Sequence, residues 1–458
     1  MYEEDTIAAI ATPIGEGGVA IVRVSGPNAE RIASRIFVRK GEKNGKLKSH
    51  TLYYGTIQDP RTRKNLDDIL LAVMRKPRSY TGEDVVEFHC HGGVFLVRQV
   101  LGLILAQGAR YADPGEFTKR AFLNGRLDLT QAEAVQDLIR ARTDKAVELA
   151  LNQANGELSK WVNELREELL DILVQVEAAI DFPEEEIELL QRDQLIGKAG
   201  ALVNKTRDIL NTYERGRLFR DGARVCICGR PNVGKSSLLN ALLGHDRVIV
   251  TPLPGTTRDV IEESINIEGL PVVLWDTAGI RNTTDQVEKI GVDLSLQHLE
   301  KADAAIVVLD GSLPLTDEDL FCLTEVESKK SLVVINKNDL GQKFGTNQIR
   351  KTTATKQVLS ISATQGYGLR DLETALRELL LGTDTEPPAV LTNIRHKNAL
   401  LRGDEALGSA IASLIDRRPP ECVAVDLNDA RDAFEEVIGI VNNEDILERI
   451  FSKFCIGK

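Results

Sequence analysis

Gly229-Arg230-Pro231-Asn232-Val233-Gly234-Lys235-Ser236-Ser237-Leu238 is a GxxxxGKS stretch lying between the apolar runs Val225-Cys226-Ile227-Cys228 and Leu238-Leu239-Asn240-Ala241-Leu242-Leu243. A strand, a glycine-rich turn and a helix in that order make a phosphate-binding loop. Backbone N–H groups of the turn converge on phosphate oxygens, Lys235 supplies a point charge to the outer phosphates, and Ser236 can ligate Mg²⁺. The same pattern also arises by chance as a glycine-rich turn without a ligand. Four further elements of the chain set that bland reading aside.

Trp275-Asp276-Thr277-Ala278-Gly279 follows the apolar run Val272-Val273-Leu274 and places Asp276 at a strand end, where it can hold the Mg²⁺ shell through water while the Gly279 amide senses the γ-phosphate. Asn336-Lys337-Asn338-Asp339 follows Leu332-Val333-Val334-Ile335. A carboxylate such as Asp339 accepts from both N1–H and the exocyclic amine of guanine, a donor pair adenine lacks, so the base is read as guanine. Ser360-Ile361-Ser362-Ala363 can support that base through backbone N–H, and Gly255-Thr256-Thr257-Arg258-Asp259 supplies a switch threonine, Thr257, to complete the Mg²⁺ shell beside Ser236. The expected ligand is GTP. Its expected site comprises Asn232, Val233, Gly234, Lys235, Ser236 and Ser237, the run Thr251-Pro252-Leu253-Pro254-Gly255-Thr256, then Asp276, Thr277, Ala278 and Gly279, with Asn336, Lys337, Asp339, Ser362 and Ala363.

One expected part is missing. Where a Ras-like pattern carries a glutamine that orients the attacking water, this chain has Ile280, and an apolar side chain cannot polarise water. The nearby carboxylates are Asp285 and Glu288, in a polar stretch whose ordinary fate is a solvated loop.

A chain of 458 residues is too long for one core and suggests about three domains. With 57 basic and 69 acidic residues the net charge is −12, which argues against coating nucleic acid by bulk electrostatics and leaves a local basic site open. Cysteines at 90, 226, 228, 322, 422 and 455 show neither a disulfide framework nor zinc spacing, so a reducing cytoplasm is the expected compartment. In His89-Cys90-His91, strand alternation sets the two imidazoles on one face and the thiol on the other, with no second ligand pair, so metal binding is not expected. The acidic start Met1-Tyr2-Glu3-Glu4-Asp5 and the lack of an 18-residue apolar run point away from secretion and membrane spanning.

Residues 1–118 read as mixed α/β, with strand-like segments at 7–10, 19–24, 69–73 and 85–88. Residues 119–216 and 384–458 read as helical. Trp161, Leu165, Leu169, Ile172, Val176 and Ile180 form one expected helical face, ended by Pro183 and Glu184-Glu185-Glu186. After Pro387-Pro388, Asn443 is an expected helix start with Ile446, Leu447, Ile450, Phe451 and Phe454 as the apolar face. The segment 217–383 would then be a Ras-like P-loop domain inserted into one discontinuous helical domain, an arrangement that compact domains with neighbouring termini tolerate.

Four separate blocks carry a resemblance over the whole length: Asp5-Thr6-Ile7-Ala8-Ala9-Ile10-Ala11-Thr12-Pro13 with Gly17-Gly18 and Arg23; Ser79-Tyr80-Thr81-Gly82-Glu83-Asp84 with Glu87 and His91-Gly92-Gly93; Pro114-Gly115-Glu116-Phe117-Thr118 with Arg120-Ala121-Phe122 and Asn124-Gly125-Arg126-Leu127-Asp128-Leu129; and Cys455-Ile456-Gly457-Lys458. With the P-loop segment they resemble the tRNA-modifying GTPase family called MnmE or TrmE. The resemblance implies an N-terminal folate-binding-like domain that dimerises and holds a one-carbon tetrahydrofolate, in the 5,10-methylene or 5-formyl form, at Arg23, Glu87, Arg126 and Lys458. These types suit the ligand: a carboxylate reads the amide and amine edge of a pterin, and arginine or lysine suits carboxylates. Each alone could be a surface ion pair. Ile14 and Glu16 stand where the family often has proline and arginine, which weakens any side-chain anion contact in that turn.

The resemblance further implies a homodimer, an FAD-dependent partner of the MnmG or GidA type, and tRNA as substrate, with an aminomethyl or carboxymethylaminomethyl group added to C5 of the wobble uridine. Cys455 is a candidate participant beside the folate, or simply a free cysteine on the tail. Potassium is implied at Asn232 with oxygens of Thr251, Leu253 and Thr256. Glu288 would orient the water, and Lys235 and Thr257 would stand at the transferred phosphate. A monovalent cation there does the work of an arginine finger and would compensate for Ile280. The rivals are a ribosome-assembly GTPase and a signalling GTPase whose helices recruit partners. Neither explains Arg23, Glu87, Arg126 and Lys458 together, and the segment after Pro388 has no GxxG clamp or basic-aromatic interleaving.

Overall fold

The computed structural model describes residues 5–41, 46–181, 192–246, 264–276, 298–352, 357–382, 391–441 and 444–458. In the N-terminal part, β1 (Ile7–Ile10), β2 (Gly17–Ser25), β3 (Phe37–Arg39), β4 (Thr51–Gln58), β5 (Asn65–Met74), β6 (Val85–Gly92) and β7 (Arg110–Tyr111) form one sheet in the order β3-β4-β5-β6-β2-β1-β7. All pairings are antiparallel except β1 with β7. Alternation sends Val22, Val24, Leu71 and Phe88 to a face covered by the helices Ala29–Ile36 and Val94–Ala106, which contribute Ile32, Ile36, Val97, Val100 and Ile104. On the opposite face, register sets Arg23 opposite Glu87 and Tyr54 opposite Leu70, and Leu52, Tyr54 and Leu70 stay exposed.

The helical part builds one core from both sides of the P-loop segment. The helices Glu157–Asp181 and Arg192–Asn211 supply Leu165, Leu169, Ile172 and Leu202. Ile394–Ile415 and Pro420–Ile438 supply Leu400, Leu407, Leu427 and Phe434 to the same core. Trp161 departs from the expected face: it is 45% exposed, while Leu158, Val162 and Leu173 are buried with Leu165, Leu169, Ile172 and Val176. At about 100° per residue the stripe 158-162-165-169-172-176 is continuous, and Trp161 lies about 60° from its centre. The expected stops and starts at Pro183, Glu184-Glu185-Glu186, Pro387-Pro388 and Asn443 lie outside the described residues.

The P-loop segment forms a second sheet from β8 (Ala223–Cys228), β9 (Ser264–Ile267), β10 (Leu270–Asp276), β11 (Ala304–Asp310), β12 (Ser331–Asn336) and β13 (Val358–Ser360), in the order β13-β12-β11-β8-β10-β9. Among the described strands of this sheet, only β9–β10 is antiparallel. Every residue of β11 and β12 is buried, as parallel strands covered on both faces require. The fold is thus an α/β N-terminal domain and a helical domain carrying an inserted Ras-like P-loop domain.

The chain leaves and rejoins the helices at neighbouring points. Gly216, in the helix Tyr213–Asp221 that leads into β8, packs so tightly on the returning segment that a Cβ would stand 2.1 Å from the Leu391 carbonyl oxygen. Beside it, the Leu391 amide donates to Thr212 Oγ1 at 3.1 Å. Backbone cannot yield as a side-chain tip can, so Gly216→Ala should lower stability by about 1–3 kcal/mol through overpacking. Denaturant unfolding in a Trp275→Phe background, read by Trp161, will measure it; an unchanged midpoint would refute the close packing.

Candidate functional site

The P-loop domain gathers its motifs at the carboxyl ends of its parallel strands, the end at which such sheets bind ligands. The loop between β8 and the helix Lys235–Asp246 places Asn232 at φ 64°, a left-handed conformation asparagine tolerates better than most residues. Lys235 is buried and its Nζ donates to the carbonyls of Gly229 at 2.6 Å and Arg230 at 2.9 Å, spanning the loop.

Asn336 cross-braces three motifs: its Nδ2 donates to the Val233 carbonyl at 2.9 Å, and its Oδ1 accepts from the Ala363 amide at 3.0 Å. Gly234 must be glycine here, since a Cβ would lie 2.3 Å from Asn336 Nδ2. Lys337 Nζ donates to the Asn232 carbonyl at 2.8 Å and to Asp310 Oδ2 at 2.6 Å. Ser362 Oγ donates to Asp339 Oδ1 at 2.6 Å, orienting the carboxylate expected to read guanine. Ser236, Ser237, Val233 and Gly234 lie in the same loop and helix start.

Asp310 escaped the sequence reading. It ends β11, receives Lys337 and Ser312, and is held below the usual carboxylate range because those hydrogen bonds outweigh burial, which pushes the other way. The signal available was its place in Val307-Val308-Leu309-Asp310-Gly311, an acidic residue closing an apolar strand. The candidates Thr251, Pro252, Leu253, Pro254, Gly255, Thr256, Thr257, Thr277, Ala278, Gly279 and Glu288, together with Ile280 and Asp285, lie outside the described residues; Asp276 is described as the end of β10.

A second constellation forms on the N-terminal sheet. Arg23 Nε donates to Glu87 Oε1 at 2.8 Å, both side chains largely buried, and Glu87 Oε2 lies 3.3 Å from His89 Nε2. Burial pushes the Glu87 carboxyl up, but His89 and Arg23 outweigh it and hold it below its ordinary value. The Arg23 guanidinium stacks over Tyr80 and Phe117 at 5.3 and 5.6 Å. Lys458 comes from the far end of the chain: half-burial and the Arg23 charge depress its ammonium, and Glu87 opposes them, so the three groups share one field. The tail docks through Gly457, whose Cβ would stand 2.2 Å from the Ile10 carbonyl oxygen. Arg126 is exposed and packs against the Gly82 turn rather than hydrogen-bonding the pair. Cys455 is exposed, and its carbonyl accepts from Gly115 at 3.4 Å. Ile14 and Glu16 are exposed. Cys90 faces the core, opposite His89 and His91, and His91 pairs with Asp67 at 2.7 Å.

The wall behind Arg23 is a buried ionic cluster that motif reading left unexplained. Arg120, 1% exposed, bonds Glu116 Oε1 at 2.9 Å, Glu83 at 3.3 Å, the Asp5 carbonyl at 3.0 Å and the Asp5 carboxylate. Arg110 adds contacts to Asp5 and Glu116 at 2.7 Å each. Burial raises both the Asp5 and Glu116 carboxyls, and the arginines more than reverse it.

These motifs joined on a mainly parallel sheet define a P-loop guanine-nucleotide-binding domain of Ras-like type, here joined to a second polar site on a separate sheet. Residues 6–126 match the family described as GTP-binding protein TrmE N-terminus, and residues 129–455 the one described as MnmE helical domain. A tRNA modification GTPase MnmE of Alkaliphilus oremlandii is 46% identical over 461 residues covering all of both chains. One of Carboxydothermus hydrogenoformans is 47% identical over 459 residues, 99% of this chain and 100% of that one. The chain belongs to the MnmE family of tRNA modification GTPases. Among solved structures, it is similar to the G domain of the T. maritima FeoB iron transporter (29% identity, 34% of this chain, 98% of that chain, TM-score 0.27). An Aquifex aeolicus Era variant bound to GDP and aluminium fluoride is likewise similar (29% identity, 40% and 66% of the chains, TM-score 0.27).

Because Asp5 and Glu116 have lowered folded-state values, their stabilisation is complete above the ordinary carboxylate range and fades as pH falls through the folded values. Arg120→Met strands carboxylates in a buried site and should cost about 3–5 kcal/mol near pH 7. Protonation relieves the stranded charge, so the deficit should shrink as pH drops toward 4. Amide exchange of β2 and β6 in the full chain measures it; a deficit independent of pH would count against the ionic account.

Proposed function

We propose that this chain is a K⁺-activated GTP hydrolase that works with an FAD-dependent MnmG- or GidA-type partner. Together they add an aminomethyl or carboxymethylaminomethyl group to C5 of the wobble uridine of certain tRNAs, in the cytoplasm. The observation that carries this reading is the Arg23–Glu87 pair on the N-terminal sheet, with Gly457 seating the tail that carries Lys458 against β1 of the same sheet, in a chain that also holds the Asn336 and Ser362 braces of a guanine site. A bare switch GTPase has no use for the first site.

In this reading Glu87 accepts from the pterin edge of a one-carbon tetrahydrofolate, and Lys458 and Arg126 supply cations for its carboxylates. Tyr80 and Phe117 keep the Arg23 guanidinium flat beside them. The folate supplies the one-carbon unit and the partner's FAD the redox step. Cys455, exposed on the same tail, is the nearby nucleophile candidate. The exposed apolar face of Leu52, Tyr54 and Leu70 supports a homodimer formed through this sheet.

At the nucleotide, Ser236 and Thr257 would hold Mg²⁺, and Lys235 would neutralise charge on the transferred phosphate. Potassium would sit at Asn232 with oxygens of Thr251, Leu253 and Thr256, while Glu288 orients the water. Support for the first ligand is local: Lys337 pins the Asn232 carbonyl, so the left-handed turn is fixed and its exposed residue stands at the loop's mouth.

Steady-state GTP hydrolysis should be stimulated at least tenfold in potassium chloride over sodium chloride at equal ionic strength, and Asn232→Ala should lose that response while still binding GDP. Equal rates in the two salts would remove potassium from the mechanism. Binding of 5-formyltetrahydrofolate should weaken roughly ten- to a hundredfold in Glu87→Ala, the worth of a hydrogen bond to a charged group. Unaltered affinity would remove Glu87 from the site.

A further inference from the structure

The helix Leu129–Arg140 grips three parts of the chain at once. On one side Glu133 receives the segment returning from the P-loop domain: Asn393 Nδ2 at 3.1 Å, Arg395 Nε and Nη2 at 3.0 and 2.8 Å, and His396 Nε2 at 2.5 Å. One turn on, Asp137 pairs with Arg220 at 2.8 Å, on the helix that leads into β8. Both chain crossings to the P-loop domain are therefore tied to this helix. The adjoining strip of the same helix holds the tail. Leu129 and Ala132 pack with Leu447, Phe451 and Phe454, and Gln136 Nε2 and Arg140 Nη2 both donate to the Lys453 carbonyl, at 2.7 and 3.1 Å. Lys453 is five residues before Lys458.

The geometry points to Gln136 and Arg140 as positioning residues: their clamp on Lys453 sets where the tail delivers Lys458 and Cys455, and it ties that placement to the P-loop domain through Glu133 and Asp137 on the same helix. The proposal rests on the reading of the Arg23–Glu87–Lys458 site given above. The physical basis is stiffness. A short hydrogen-bonded helix moves as a body, so a displacement at Glu133 or Asp137 is transmitted to Gln136 and Arg140 within one turn. The tail is seated closely at both ends: a Cβ at Gly115 would come within 2.7 Å of the Phe451 carbonyl oxygen, and one at Gly457 within 2.2 Å of the Ile10 carbonyl oxygen. Among the described residues, the hydrogen bonds of both clamp side chains go to Lys453 and none to the nucleotide constellation.

The test uses the full chain and amide exchange of residues 452–458 in the GDP state and in the GDP–aluminium fluoride state with K⁺. Wild-type tail exchange should differ between the two states. In Gln136→Glu/Arg140→Ala, which removes both donors while keeping the length of residue 136, tail protection should fall about tenfold, as expected for two lost hydrogen bonds. The dependence on nucleotide should vanish with it, while GTP hydrolysis stays within about twofold, since hydrolysis does not use these donors. Tail exchange equal in variant and wild type would overturn the clamp, and wild-type exchange indifferent to nucleotide would overturn the link. Binding of 5-formyltetrahydrofolate separates this proposal from the reading it rests on. If wild-type protein fails to bind it while the tail still responds to nucleotide and clamp, the folate reading falls and the clamp stands.

Discussion

The buried carboxylate of Glu133 is the constraint on which the architecture turns. An inserted domain needs its two connections side by side, and here the returning connection is fixed by a charge that cannot be left without partners. Burial alone would push Glu133 far up; Arg395 and His396 reverse that and hold it well below the usual carboxylate range. Arg395 meets it through two hydrogen bonds and His396 Nε2 lies 2.5 Å from Oε2, while burial holds the imidazole below its ordinary value. Arg395 is in turn anchored to the carbonyls of Glu436 and Val437, at the end of the helix Pro420–Ile438. One carboxylate thus locks the chain's return into the helical core. Such clusters are weak sources of net stability and good sources of a unique arrangement, because any alternative strands a charge.

A similar logic shapes the N-terminal sheet. Arg120, almost fully buried, draws the start of β1, the turn at Glu83 and the helix Glu116–Leu123 onto one guanidinium. That places Phe117 and Tyr80 against Arg23 and leaves the Arg23–Glu87 pair partly open toward the tail. Two dense ionic clusters therefore stand one at each end of the helical connection from Glu116 to Arg140. Bulk charge plays no part in this; the net charge of −12 says nothing of where the arginines are spent.

The inserted domain is organised more locally. Apolar strands β11 and β12 deliver Asp310 and Asn336 to one edge, and Asn336 links the phosphate loop to the Ser362-Ala363 loop through two hydrogen bonds. A single side chain satisfies a carbonyl and an amide from loops more than a hundred residues apart in one direction and 27 in the other. The phosphate loop and the Ser362-Ala363 loop therefore cannot move independently without breaking a buried pair of hydrogen bonds.

The sequence by itself determined whatever depends on near neighbours. The phosphate loop, the strands leading to Asp276 and Asn336 and the capping box at Asp128–Gln131 are short-range patterns, set by backbone geometry within a few residues. Even there, Trp161 lies at the exposed margin of the face its spacing suggests, because steps of four drift around a 3.6-residue turn and only packing partners fix the centre of the face. Tertiary structure alone decided the long-range pairings: Glu133 with His396, Asp310 with Lys337, Arg120 with Asp5, and Gln136 with the Lys453 carbonyl. Each joins groups whose types are common and whose spacing in the chain carries no period. Their partnership follows from burial, which forces a charged or polar group to find whichever complement the fold brings within reach.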